Sequence, residues 1–128
     1  MPKILLAEDN EFSRDLLRRR LEKAGYEIVT AMDGKEAVQA ARQHRPDLII
    51  MDLDMPVMDG RSAIRAVRSD RRSFRTPIIV LTGHAEPEEV MKAVADGCNA
   101  YETKPIVLKR LLERIEEVLG ASAPAQAS

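Results

Sequence analysis

Apolar runs in this chain end abruptly in polar residues, and that pattern narrows the possible folds more than any other. Ile4-Leu5-Leu6-Ala7 runs into Glu8-Asp9, and Leu48-Ile49-Ile50-Met51 runs into Asp52, with Asp54 two residues on. Ile78-Ile79-Val80-Leu81 runs into Thr82, and a shorter segment around Tyr101 leads into Lys104-Pro105. An uninterrupted apolar run of this length reads as a strand buried on both faces of a parallel sheet. The polar residue that follows is delivered to the carboxyl-end rim, where open α/β sheets bind ligands. Glu8, Asp9, Asp52, Thr82 and Lys104 are therefore expected to converge. Close carboxylates repel one another, and a divalent cation relieves that repulsion.

Strand and helix signals alternate five times. Strands are expected at Lys3–Ala7, Glu27–Ala31, Leu48–Met51, Ile78–Leu81 and Ala100–Thr103. Helices are expected at Phe12–Lys23, Lys35–Gln43, Arg61–Ser69, Glu86–Asp96 and Val107–Leu119, with Gly25, Gly97 and Gly120 as stops. Glu86–Asp96 has the weakest apolar stripe. Asp52–Gly60 reads as a loop punctuated by Pro56 and Asp59-Gly60. Five βα units predict a three-layer α/β sandwich around a parallel sheet. Residues 1–120 form one expected domain. Residues 121–128 lack any large apolar group and are expected to be a disordered tail.

The 128 residues suffice for one core, and 45% of them are apolar. A net charge of -1 argues against nucleic-acid binding, and the absence of Trp argues against a base-stacking platform. Cys98 is the single cysteine, so no internal disulfide forms; it reads as a small packing residue in a reducing cytoplasm. No apolar stretch approaches a membrane span, and the N-terminus lacks a signal-peptide core. The expectation is a cytoplasmic protein with neither DNA nor membrane as a direct partner. The arginines at 65, 68, 71, 72 and 75 read as a solvated helix face and loop.

Glu8-Asp9, the segment Met51-Asp52-Leu53-Asp54-Met55-Pro56-Val57-Met58-Asp59-Gly60, Thr82-Gly83 and Tyr101-Glu102-Thr103-Lys104-Pro105 together resemble the receiver domain of two-component response regulators. The resemblance spans residues 3 to about 119 in both order and spacing. It implies a flavodoxin-like fold with strand order 2-1-3-4-5. It also implies that Asp52 is the phosphoacceptor, and a carboxylate is chemically able to attack phosphorus and form an aspartyl phosphate. Glu8, Asp9, Asp52 and the backbone carbonyl of Asp54 are the implied Mg²⁺ ligands, with waters completing the shell. Lys104 is expected to pair with one phosphoryl oxygen and the Thr82 hydroxyl to bond another. Tyr101 holds the position of the family's rotating aromatic switch, and Lys104-Pro105 that of a cis peptide.

The implied phosphodonor is a histidine kinase or a histidine phosphotransfer protein, docking on the first helix with its Arg14, Arg18, Arg19 and Arg20. The implied output is a downstream protein, read on the face built from the fourth helix, fifth strand and fifth helix. Position 8 departs from the commoner Asp, although the family also uses Glu there. Asp54 and His84 occupy positions that influence phosphoryl lifetime in the family, while His84 alone reads as a solvated loop residue. Self-phosphorylation and slow self-dephosphorylation do not make such a domain a turnover enzyme. The start at Met1 and the short polar tail suggest a stand-alone receiver, and a fragment of a hybrid histidine kinase is the alternative.

Other classes fit less well. Ile49-Ile50-Met51-Asp52-Leu53-Asp54 resembles the first motif of haloacid dehalogenase-type phosphohydrolases, with Asp52 as nucleophile. That family carries its nucleophile on the first strand and its acidic pair after the Lys. An FMN binder needs a hydroxyl-rich phosphate loop after the first strand, where Glu8-Asp9-Asn10-Glu11 would repel phosphate. A purely structural interaction module has no need of all five site residues.

Overall fold

The computed structural model describes residues 1–55, 58–83 and 86–122, with side chains as far as Gly120. The expected order of elements is found: β1 (Lys3–Ala7), α1 (Glu11–Lys23), β2 (Glu27–Ala31), α2 (Gly34–His44), β3 (Leu48–Asp52), α3 (Gly60–Arg68), β4 (Ile78–Thr82), α4 (Pro87–Asp96), β5 (Ala100–Thr103) and α5 (Leu108–Ser122). The five strands form one parallel sheet in the order β2-β1-β3-β4-β5. The order in which strands are added therefore reverses between β1 and β3, which is where such sheets open a crevice.

Alternate side chains of each central strand supply alternate faces. Leu5, Ala7, Ile49, Met51, Ile78 and Val80 pack beneath α2, α3 and α4. Ile4, Leu6, Leu48, Ile50, Ile79 and Leu81 pack beneath α1 and α5, against Leu21, Leu111 and Ile115. Every residue of β3 and β4 is buried, which is why both strands read as unbroken apolar runs.

The helix starts follow local chemistry. Asn10, Asp33 and Asp59 cap α1, α2 and α3 by accepting the backbone N–H of Ser13, Glu36 and Ser62, each at 2.8 Å. Glu86 at the start of α4 makes no such bond, and Pro87 follows it. Gly97 takes a left-handed φ of 116° and ends α4, as expected from sequence. Gly120 does not end α5, which continues to Ser122. Of the expected tail, residues 123–128 lie outside the described residues, as do Pro56 and His84.

Cys98 is buried beside Ala93, as its packing reading predicts. Of the basic run, Arg65, Arg71, Arg72 and Arg75 are exposed as expected, and Arg68 is the exception. Arg68 is only partly exposed; its guanidinium donates to the carbonyls of Phe74, Thr76 and Gly97 and to Asn99 Oδ1. Arg65 pairs with Asp96 and Arg72 with Asp70. Arg68 fastens the fold, because carbonyls at loop ends need donors and a guanidinium supplies several at once.

Candidate functional site

The crevice gathers the polar strand ends. Glu8 follows β1, Asp52 closes β3, Thr82 closes β4, and Lys104 follows β5. The backbone locks the positions together: Glu8 N–H donates to Ala31 O, Leu53 N–H to Leu81 O, and Lys104 N–H to Thr82 O at 2.8 Å. The Lys104-Pro105 peptide is cis, as the resemblance implied.

Asp52 is 1% exposed. Its Oδ2 accepts Lys104 Nζ at 2.7 Å and its Oδ1 accepts the Asp54 N–H at 2.9 Å. Carboxylate oxygens of Glu8, Asp9 and Asp52 lie within 4.8 Å of one another. Glu8 and Asp52 are buried while Asp9 is exposed, so the cluster opens to solvent on the Asp9 side. The backbone behind it is tightly built. A Cβ on Gly60 would lie 2.6 Å from Leu53 Cα and 2.7 Å from Asp52 O, so α3 starts in direct contact with the phosphoacceptor candidate's main chain.

Electrostatics follow from this crowding. Burial, then the shared hydrogen bond with Asp52, then the Asp52 charge push the Glu8 carboxyl up to about 8, against the pull of Lys104. Burial also acts to raise Asp52, but the hydrogen bonds from Glu8, Lys104 and the Asp54 N–H outweigh it and hold Asp52 below the usual range. Burial lowers Lys104, yet its bond to Asp52 outweighs that and leaves it raised. Without a cation, the pocket therefore favours a proton on Glu8 over one on Asp52.

Glu8 Oε2 is buried with no hydrogen-bond partner among the described residues. An orphaned carboxylate oxygen beside two more carboxylates fits a hard divalent cation that takes oxygen ligands. The pocket formed by Glu8, Asp9 and Asp52 is thus able to hold such an ion.

Among the described residues, clefts lie on two sides of the pocket. One runs between α1 and the start of α5, lined by Glu8, Leu16, Leu17, Arg20, Lys104 and Ile106. The other lies towards α3 and α4, lined by Asp54, Asp59, Arg61, Arg65, Thr82 and Glu89. Thr82 is buried and borders this second cleft. Tyr101 stands on β5 with its side chain 40% exposed.

Two contributions escaped the reading of the sequence. Arg14 Nη1 donates to the carbonyls of Glu8 at 3.0 Å and Asp9 at 3.4 Å, so it orients the acidic loop. Its place one turn into α1 hinted at that reach, but a lone arginine gives no direction. The rest of the α1 arginine cluster is partly neutralised within the helix: Arg18 pairs with Asp15 and Glu22, and Arg19 with Asp15.

Residues 4–116 match the family model described as "Response regulator receiver domain". The chain is 37% identical over 121 residues to the polar-differentiation response regulator DivK of Brucella anthropi, covering 94% of this chain and 98% of that one. A structure of the chemotaxis protein CheY4 of Vibrio cholerae superposes with a TM-score of 0.88 at 37% identity, covering 92% of this chain and 98% of the other. The receiver domain of the sensor histidine kinase PA1611 of Pseudomonas aeruginosa has a TM-score of 0.87 at 34% identity, covering 93% and 98% of the two chains; that structure has a magnesium ion coordinated in its active-site cleft. A match of this extent disfavours the phosphohydrolase reading. No helix among the described residues is long and apolar enough to cross a membrane. The chain belongs to the response regulator receiver domain family, the signalling switches of two-component phosphorelays rather than turnover enzymes.

Proposed function

We propose that Asp52 is the phosphoacceptor and that its phosphorylation requires Mg²⁺ held by Glu8, Asp9, Asp52 and the carbonyl of Asp54. The observation that carries the reading is the buried Asp52 carboxylate, salt-bridged to Lys104 at 2.7 Å and backed by two further carboxylates. One Asp52 oxygen attacks phosphorus as the P–N bond of a donor phosphohistidine breaks; the electron pair of that bond returns to the imidazole nitrogen, which takes a proton from solvent. Phosphoryl transfer asks the protein mainly for alignment and charge neutralisation. Bound Mg²⁺ supplies that neutralisation among the acids. The Asp54 N–H and the Lys104 ammonium fix the nucleophile beforehand, and Lys104 then turns to a phosphoryl oxygen.

The product adds about -1.5 to -2 charge to the pocket. The Thr82 hydroxyl follows a phosphoryl oxygen inward, and Tyr101 moves from its exposed position into the space vacated. The output face comprises α4, β5 and α5, where Met91, Val94, Tyr101 and Val107 are exposed. A downstream protein reads that face; the phosphodonor is a histidine kinase or histidine phosphotransfer protein, working in the cytoplasm. The domain spans residues 1 to about 120, with α5 running on to Ser122.

Acetyl phosphate with Mg²⁺, read by intact mass, tests the assignment. One added phosphoryl group that disappears in Asp52→Asn and in EDTA is the expected result. Full labelling of Asp52→Asn refutes it.

A further inference from the structure

Three arginines of α3, Arg61, Arg65 and Arg68, recur at spacings of four and three residues and so lie along one stripe of the helix. All three reach the same target, the C-terminal end of α4. Arg61 Nε donates to Asp96 Oδ2 at 2.6 Å and Arg65 Nη1 to Asp96 Oδ1 at 3.1 Å. Arg68 Nε and Nη2 donate to Gly97 O at 3.1 and 2.8 Å. Asp96 is nearly enclosed, its side chain 9% exposed between the two guanidiniums. Burial would raise its carboxyl, but the bonds from Arg61 and then Arg65 hold it below the usual range. Cations at a helix C-terminus also complement its dipole.

The opposite end of α4 is held differently. Glu86 gives no side-chain cap, and Ala93, in the last turn, is the helix's one buried residue. Met91 is 71% exposed. The helix is gripped at one end and thinly packed along the rest. The grip is referenced to the pocket, because Gly60, the residue before Arg61, packs directly on Asp52 O and Leu53 Cα.

We propose that the α3 arginine stripe and Asp96 form a pivot: it keeps the C-terminal end of α4 fixed relative to Asp52 in both states, so that switching swings the N-terminal half of α4. Arg61, Arg65 and Asp96 are then positioning residues for the output, which act through α4 without touching the phosphoryl group. The movement rests on the switch reading above; the grip itself does not.

Two measurements on the full chain test it. The first is amide hydrogen exchange of the unphosphorylated protein. Asp96→Ala and the Arg61→Ala/Arg65→Ala double variant should each speed exchange in residues 87–96 by about tenfold, the order expected for losing charge-assisted hydrogen bonds, with sheet amides unchanged. Unchanged exchange in α4 in both variants overturns the grip. The second is NMR with Mg²⁺, before and after beryllofluoride, a phosphoryl mimic. Shift changes in wild type should be largest at 87–91 and fade towards 94–97, with the Arg61 and Arg68 Nε–H signals retained; in Asp96→Ala they should spread to 94–97. Equal changes at both ends of wild-type α4, or loss of the Arg61 Nε–H signal, overturn the pivot. Equal changes alongside a clear response at Tyr101 leave the switch reading standing while the pivot falls. No response at Tyr101 or in α4 removes both.

Discussion

Raising the pH should destabilise this protein when divalent cations are absent, and Glu8 is the reason. Its carboxyl is displaced from an ordinary 4.5 to about 8 in the folded chain. Between those values the folded protein holds a proton that the unfolded chain has released. Unfolding is then accompanied by proton loss, so stability falls as pH rises through this window. Each pH unit is worth up to about 1.4 kcal/mol, which sets a ceiling of about 5 kcal/mol across the window. Counter-ions drawn to the pocket reduce that, so a fall of a few kcal/mol at most is expected between pH 5 and pH 8. Asp52 is displaced the other way, below its ordinary 3.8, so its contribution is present above that value and lost only on further acidification. The two effects occupy separate pH windows. Urea melts at half-unit steps from pH 5 to pH 8 in EDTA provide the assay. Stability should decline with pH in EDTA, hold level in saturating Mg²⁺, and hold level in Glu8→Gln without metal. A flat profile for the wild-type protein in EDTA would refute the assignment of a shared proton to the acidic pocket.

Other outcomes follow from the same geometry. Asp9→Ala should lose both Mg²⁺ binding, measured by calorimetry, and labelling by acetyl phosphate, because it removes one of three clustered carboxylates. Lys104→Ala should still accept a phosphoryl group while losing the beryllofluoride-dependent NMR shifts at Tyr101; wild-type shifts would contradict the coupling. Arg68→Ala should cost about 3 kcal/mol in denaturant melts, since it strips donors from the part-buried bonds to the carbonyls of Thr76 and Gly97. Gly60→Ala should cost about 1–3 kcal/mol, because its methyl overpacks Asp52 O and Leu53 Cα, where backbone must move to admit it.

The sheet was legible because its two central strands are buried on both faces, and only an unbroken apolar run satisfies that. The pocket was legible because each candidate residue ends a strand or lies just after one, so the chain's own connectivity aims it at one rim. Strand order was not readable from periodicity; it came with the family resemblance. Arginine roles were hidden, because Arg68 bound to four acceptors and an arginine bathed in water look alike in a string of letters. The end of α5 was misplaced for an energetic reason. A single helical glycine costs only about 1 kcal/mol relative to alanine, and Gly120 therefore does not stop a helix that is anchored by Leu111 and Ile115.

The capping of the helices has a consequence for who can approach the pocket. Asp33 and Asp59, which hold the starts of α2 and α3, stand on the rim that already carries Glu8, Asp9, Asp52 and Asp54. Structural carboxylates thus add to the field of the chemical ones, and a small dianionic phosphoryl compound diffuses in against the sum. Such a field reaches about 8–10 Å at physiological ionic strength. A protein donor, which brings a large contact surface to offset the repulsion, suffers far less from it. On the reading of Asp52 as the acceptor, added salt should speed labelling by acetyl phosphate more than labelling by a protein phosphodonor.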